Sequence, residues 1–372
     1  MTSIIYVGMD VHTINYTLCC YSMEDDRFFA EVQVEPDAKN ILKYLARIEK
    51  QQSRDCRIVC GYEAGCLGYS LYHQLHAHGI DCVILAPTTM MTKPGKRIKT
   101  DRRDARLISK CLAFHTYSPV YIPTEVDNAV KEYIRMRDDA NSALARVKQQ
   151  IIAFCIRHGK IHDGKSYWTN KHLEWLSSLD LGNKILSEVL QEYLIRYYQL
   201  REQVDMYDMR INELAQAEPY RQKVEKLGCF RGIAAHTALS FCVEVGDFRR
   251  FATAQQFASY LGLVPGECSS GDKQQYTGIT KAGNSHLRKL LVETAQVFGR
   301  SATKSGKSVA LKERQAKCDS LTVAYADKAN ARLKKKYFKI AMRSKVNIAK
   351  TAVAREMACF IWGMMTDNIS CA

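Results

Sequence analysis

The sequence predicts an α/β N-terminal domain, a long helical middle and a mainly α-helical C-terminal domain. Three observations carry this reading: β-rich runs alternate with amphipathic stretches over the first third, two heptad seams fill the middle, and basic charge gathers in the last quarter. The expected divisions are residues 1–120, 121–218 and 219–372.

A chain of 372 residues with 47% apolar content is long enough for two or three packed cores. Residues 3–35 hold three β-rich runs, at 4–9, 16–23 and 27–35, separated by polar turns. Asp37 then opens an amphipathic helix carrying Ile41, Leu42, Leu45 and Ile48. Residues 57–62 return to strand, 67–78 have helical period, and 81–86 form a buried-type strand stopped by Pro87. Three meandering strands followed by helix-strand units is the order of a ribonuclease-H-like domain.

Four carboxylates stand out in this domain. Asp10 closes the first apolar run, Glu63 closes the run at 57–62, and Asp101 and Asp104 stand three apart at the start of a helical pattern. Adjacent parallel strands would join the first two, and the helix presents the last pair on one face. Converging negative charges call for a cation, and an all-oxygen site suits Mg²⁺ or Mn²⁺. Taken singly, each has a plainer reading: a carboxylate ending a strand is usually a cap or turn residue, and Asp101 reads as an N-cap. The loop ahead of that helix is basic, with Lys93, Lys96, Arg97 and Lys99, and Arg102 and Arg103 continue it, so phosphate would be delivered beside the carboxylates.

In the middle region, Val126, Val130, Tyr133, Arg137, Ala140, Leu144, Val147, Ile151 and Phe154 alternate spacings of four and three. The set Leu186, Leu190, Tyr193, Tyr197, Leu200, Val204, Tyr207, Ile211 and Leu214 does the same. Both are coiled-coil seams, able to pair with each other or with a second subunit. Arg137 interrupts the first, either to specify register or as an edge position.

Beyond Pro219 come a turn at Arg231-Gly232-Ile233-Ala234, an apolar helix through Ala238 and Phe241, and the polar loop 266–278 with Ser269 and Ser270. Small residues there let backbone approach a phosphate, although serines in Gly-rich loops are mostly turn formers. The formal charge is +15, and residues 281–350 hold eighteen Lys/Arg against four Asp/Glu. Such density is a phosphate-binding footprint, with Lys281, Arg288, Lys304, Lys307, Lys334, Lys335 and Lys336 as candidates; the plainer reading is a solvated helical surface. Tyr337 and Phe338 among those lysines either stack on bases or belong to a buried helix face. His12 and His286 read as surface or structural histidines.

The fourteen cysteines show no C-x-x-C pair and read as reduced, buried thiols. No stretch approaches the roughly 20 apolar residues that cross a bilayer. The amino terminus lacks an export-type segment. A cytoplasmic protein with no membrane partner is expected.

The blocks Gly8-Met9-Asp10-Val11-His12, Tyr62-Glu63-Ala64-Gly65 and Lys99-Thr100-Asp101-Arg102-Arg103-Asp104-Ala105, followed by Gly262-Leu263-Val264-Pro265, Ser269-Ser270-Gly271 and Gly278-Ile279-Thr280-Lys281-Ala282-Gly283-Asn284, recur in a telling order. Together they resemble the DEDD-type transposases of bacterial insertion sequences, the bridge-RNA-guided recombinases, over nearly the whole chain. The resemblance implies a RuvC-like catalytic domain in which Asp10, Glu63, Asp101 and Asp104 hold divalent metal. It also implies that Ser270, or alternatively Ser269, attacks DNA to form a phosphoserine ester. A noncoding guide RNA, donor and target DNA, a dimer or tetramer, and nucleoid association when bound to DNA follow in the same way. One departure is clear: the family usually has Pro-Gly-Ile-Gly where this chain has Arg231-Gly232-Ile233-Ala234, which removes the proline but offers Arg231 to phosphate. Two rivals remain: a metal-dependent endonuclease or junction resolvase using water, and a nucleic-acid scaffold without chemistry.

Overall fold

The computed structural model describes residues 3–52, 56–65, 67–90, 100–267, 276–300 and 306–369. They fall into two compact units, residues 1–122 and 123–372.

The first unit is a mixed five-stranded sheet with helices on both faces. Its strands are β1 (Ser3–Val11), β2 (Tyr16–Ser22), β3 (Arg27–Val34), β4 (Cys56–Glu63) and β5 (Asp81–Leu85), ordered β3-β2-β1-β4-β5. The first three pair antiparallel through tight turns, whereas β4 joins β1, and β5 joins β4, in parallel. Those parallel joins need crossovers, supplied by α1 (Ala38–Gln51) and α2 (Ser70–Ala77). The period-two alternation of the strands sorts the core. Ile5, Val7, Met9, Cys60 and Tyr62 point to one face, against Ile41, Leu45 and Ile48 of α1 and Leu71 and Leu75 of α2. Tyr6, Tyr21 and Leu85 point to the other, against Ile108, Cys111 and Leu112 of α3 (Asp101–Ala113). The helical stretch expected over 67–78 is shorter, because residues 67–69 form a turn ahead of Ser70.

The second unit is almost entirely helical. Its two 33-residue helices, α4 (Glu125–Arg157) and α6 (Lys184–Gln216), lie antiparallel, with Tyr133 against Tyr207 and Phe154 against Tyr193. Arg137 answers the question its position posed: its guanidinium makes two hydrogen bonds to Asp208 of the facing helix, at 2.8 and 2.9 Å. The connection between them contains α5 (Asn170–Ser177), which packs Leu173 and Leu176 onto the far end of the pair. Then follow α7 (Arg221–Gly228), α8 (Ala235–Val245) and α9 (Ala254–Tyr260), the hairpin of β6 (Pro265–Glu267) and β7 (Tyr276–Ile279), α10 (Ser285–Ala295), α11 (Val309–Gln315), α12 (Ser320–Ala341) and α13 (Val346–Met365). Val130, Ile134, Ile211 and Ala215 of the long helices share one core with Phe230, Phe241, Leu287, Leu333 and Met357. Tyr337 is 7% exposed and belongs to that core, so the aromatic residues among the lysines are a buried helix face. No helix among the described residues is long and apolar enough to cross a membrane.

Candidate active site

The parallel register of β1 and β4 determines where the first two carboxylates go. It pairs Gly8 with Gly61 and Met9 with Tyr62, so Asp10 and Glu63 end neighbouring strands one step further on. By alternation both belong to the face that carries α3. The paired glycines let that helix lie directly on the strands. A Cβ at Gly8 would overlap the carbonyl oxygen of Ala105 and the amide of Ser109, and one at Gly61 would meet Leu112 and Leu85 side chains at 2.8 Å. Two hydrogen bonds from Arg106 to Glu31, at 3.1 and 2.6 Å, tie the same helix to β3. Close docking carries the first turn of α3, with Asp101 and Asp104, to the end of β1.

The N-cap of α3 is Thr100, whose hydroxyl accepts the Arg103 amide at 3.4 Å, so Asp101 does not fill that role. Asp10, His12 and Asp101 each offer a ligand atom within 4.8 Å of the others. Glu63 and Asp104 are not in this tight group. The charge of Asp104 nonetheless reaches Asp10: burial first, then Asp104 and Asp101, push the Asp10 carboxyl above its ordinary pKa, while His12 pulls it down. Asp10 is 14% exposed, and its Oδ2 is shielded from solvent without an aligned hydrogen bond, the His12 Nε2 lying 3.3 Å away. A shielded carboxylate oxygen without a proper donor, pressed by two further carboxylates, fits a cation ligand. Beside it a cavity of about 400 Å³ is lined by Thr17, Gln33, Thr100, Asp101 and Arg102. His12 as a candidate ligand was missed in the sequence; it stands one residue beyond the end of β1, in the turn where its amide donates to Asn15 O at 3.0 Å, and only the fold brings its ring to Asp10.

In the second unit, the motif at 262–265 and the motif at 278–284 meet at the base of the β6–β7 hairpin. Thr280 N donates to Val264 O at 2.9 Å, Lys281 N to Gly262 O at 3.1 Å, and Asn284 N to Tyr260 O at 3.0 Å. Gly283 has φ +72°, and a Cβ there would overlap the Tyr260 carbonyl oxygen; Lys281 itself sits at φ +56°. Ser269 and Ser270 fall between the two strands in sequence and lie outside the described residues, as do Lys93, Lys96, Arg97, Lys99 and Lys304.

The residues 7–156 match the model of an IS110-type DEDD transposase domain, and residues 225–314 match the model described as "Transposase IS116/IS110/IS902 family". The transposase for insertion sequence element IS1533 of Leptospira borgpetersenii is 32% identical over 340 residues, 90% of this chain and 95% of that one. The protein y4qE of Sinorhizobium fredii is 36% identical over 307 residues, 82% of this chain and 75% of its own length. The chain belongs to the IS110 family of insertion-sequence transposases. The transposase for insertion sequence element IS1111A of Coxiella burnetii is a more distant relative, 26% identical over 268 residues, 68% of this chain and 71% of that one.

As a DNA transposase, the chain needs cationic side chains for phosphate, and its basic residues divide by local contacts. Arg102 is exposed on the first turn of α3, next to the carboxylates, and Lys335 on α12; Arg103 is exposed beside Arg102 and also makes a local contact. Others serve the fold. Arg288 Nη1 donates to Leu261 O and Ala282 O at 2.9 and 3.0 Å, bracing the hairpin base. Arg231 donates from Nη2 to Gly306 O at 2.8 Å, and Lys307 pairs with Asp327 and Gln315. Lys336 pairs with Glu356 at 2.6 Å.

Proposed function

We propose that this transposase exchanges DNA strands between a donor and a target through a phosphoserine ester, under the direction of a noncoding guide RNA. The observation that carries the proposal is the shielded oxygen of Asp10, without an aligned hydrogen bond, beside Asp101 and His12, with a serine motif elsewhere in the same chain. The strand order β3-β2-β1-β4-β5, antiparallel then parallel, supports reading the first unit as ribonuclease-H-like and RuvC-like. Mg²⁺ or Mn²⁺ held by Asp10 and Asp101, with Glu63, Asp104 and His12 around them, would supply positive charge to a scissile phosphate.

The chain's own residues do the rest. Arg102 and Arg103 hold the phosphate backbone at the mouth of the carboxylate site. The Ser270 hydroxyl, or that of Ser269, forms an Oγ–P bond as the P–O bond to one deoxyribose breaks, and the proton that leaves Oγ ends on the released sugar oxygen. Because one phosphodiester replaces another, the strand can be resealed to a new partner without ATP. Carboxylates and serine come together in a dimer or tetramer, with the antiparallel helices α4 and α6 as assembly elements.

The test incubates the protein with RNA transcribed from the flanks of its element, donor and target DNA, and Mg²⁺. Recombinant junctions that require all four components are expected. Free cleaved ends without any protein-linked DNA would replace this reading with a water-using nuclease. Binding that survives chelation, with no strand cut, would leave only a scaffold.

A further inference from the structure

Four ionisable side chains from three helices meet inside the second unit, away from the carboxylate site. His286, on the first turn of α10, places Nε2 2.8 Å from Asp138 Oδ2 of α4 and Nδ1 3.1 Å from Glu244 Oε1 of α8. His236, on the first turn of α8, places Nε2 2.9 Å from the other Asp138 oxygen. Glu244 is 5% exposed and also receives Arg135 Nη2 at 3.0 Å and Asn284 Nδ2 at 2.8 Å. Asp138 also accepts from Arg137 Nη1 at 3.2 Å, and Arg137 is paired with Asp208 of α6.

An ionised carboxylate only accepts hydrogen bonds, and a neutral imidazole has one donor and one acceptor nitrogen. Both ring nitrogens of His286 face carboxylate oxygens, so only the doubly protonated ring satisfies both contacts. The charge count calls for one further cation: Asp138, Glu244 and Asp208 carry three negative charges and Arg135 and Arg137 two positive ones, and of the two histidines, His236 touches one carboxylate whereas His286 touches two. The other titratable group at this junction is Tyr260 of α9, whose hydroxyl donates to Glu244 O at 3.3 Å and lies 3.4 Å from Asn284 Nδ2.

This junction is adjacent to the hairpin base. Asn284 caps α10 by accepting the Leu287 amide at 3.0 Å, closes the turn onto Tyr260 through its own amide, and donates its side chain to Glu244. We propose that a charged His286 ties the turn at residues 280–284 and strand β7 to the long helix α4, making His286 a positioning residue for the strand-exchange chemistry. The link to chemistry rests on the serine reading given above; the tie itself does not.

The direct test is nitrogen-15 NMR of the full-length protein labelled at histidine, at about pH 8, where an ordinary imidazole is neutral. One histidine with both nitrogens at imidazolium shifts, absent in His286→Gln, is expected. A His286 that is a neutral tautomer at that pH overturns the tie. Hydrogen exchange of residues 276–285 in the folded His286→Gln protein should quicken by about tenfold or more, while α1 to α3 exchange as in the parent. Unchanged protection at 276–285 would equally overturn it. If His286→Gln does not fold, Asp138→Asn, which keeps an acceptor but removes the charge, gives the same readout. In strand exchange, His286→Gln should lower kcat by about tenfold with DNA KM held. An imidazolium and a protected turn in a protein that forms no serine adduct would sink the serine reading while leaving the tie in place.

Discussion

Asp10 is the carboxylate of the site that burial and its neighbours act on directly. Its Oδ2 is shielded and lacks an aligned hydrogen bond, His12 stands beside it, and Asp104 and Asp101 press on it. Asp10→Asn should therefore raise the melting temperature measured in EDTA, since a buried repulsion is removed, and should abolish any further rise on adding Mg²⁺ or Mn²⁺. The parent should gain stability with metal as binding to the folded state requires, about 2.7 kcal/mol at a hundredfold excess over Kd. A parent protein whose melting is indifferent to both metals would contradict the assignment. The carboxylates were legible because strand ends and a helix start are visible in the hydropathy period. His12 was not, because a lone histidine after a strand looks like any surface residue until its partner is known. Nor was the Asp138, His236, Glu244 and His286 junction, since its members come from three helices and one contact spans 148 positions.

At the level of elements, the site depends on how closely α3 lies on β1. Gly8→Ala puts a Cβ into the Ala105 carbonyl and Ser109 amide, so the helix must lift. The expected cost is about 1–3 kcal/mol in denaturant unfolding, with a larger fractional loss of DNA cleavage than of stability. A Gly8→Ala protein with full activity would mean that helix placement does not matter. The opposition of Gly8 to Gly61 was hidden in the sequence because it exists only once the β1–β4 register is formed. The heptads, by contrast, gave α4 and α6 nearly to their ends, since a long period averages over local exceptions such as Arg137. The eight-residue α5 was missed because so short a helix offers two turns of pattern inside a polar connection.

The junction of α4, α8 and α10 also makes a prediction about pH. Burial by itself would lower the His286 pKa, but hydrogen bonds to Asp138 and Glu244 outweigh it and lift the group from 6.5 to about 9. A raised folded-state pKa stabilises fully below the unfolded value and loses that contribution as pH rises through the folded one. Unfolding free energy should thus fall between about pH 6.5 and pH 9, by an amount on the order of 2 kcal/mol, and His286→Gln should flatten the slope. Glu244 works in the opposite sense. Burial would raise its pKa, but hydrogen bonds from His286 and Asn284, with Arg135, hold it near 2, so its contribution is present above about pH 4.5 and lost as pH falls towards 2. Equal slopes for parent and His286→Gln across the alkaline window would contradict the assignment.

For the molecule as a whole, the proposed division of labour is between a unit whose carboxylates would hold metal and a unit whose sequence between β6 and β7 carries Ser269 and Ser270. Family membership was legible as an ordered set of short motifs, and the fold explains several of them as packing: Gly8 beneath α3, and Gly262 and Gly283 at the hairpin base. The account's central claim is that serine, not water, takes the phosphate. Trapping the protein on donor and target DNA with its flanking RNA and Mg²⁺, then digesting both and sequencing the peptides by mass spectrometry, tests it most directly. A nucleotide esterified to Ser270, or to Ser269, that is absent from Asp10→Asn is the predicted result. Cleaved DNA with no nucleotide on either serine would contradict it.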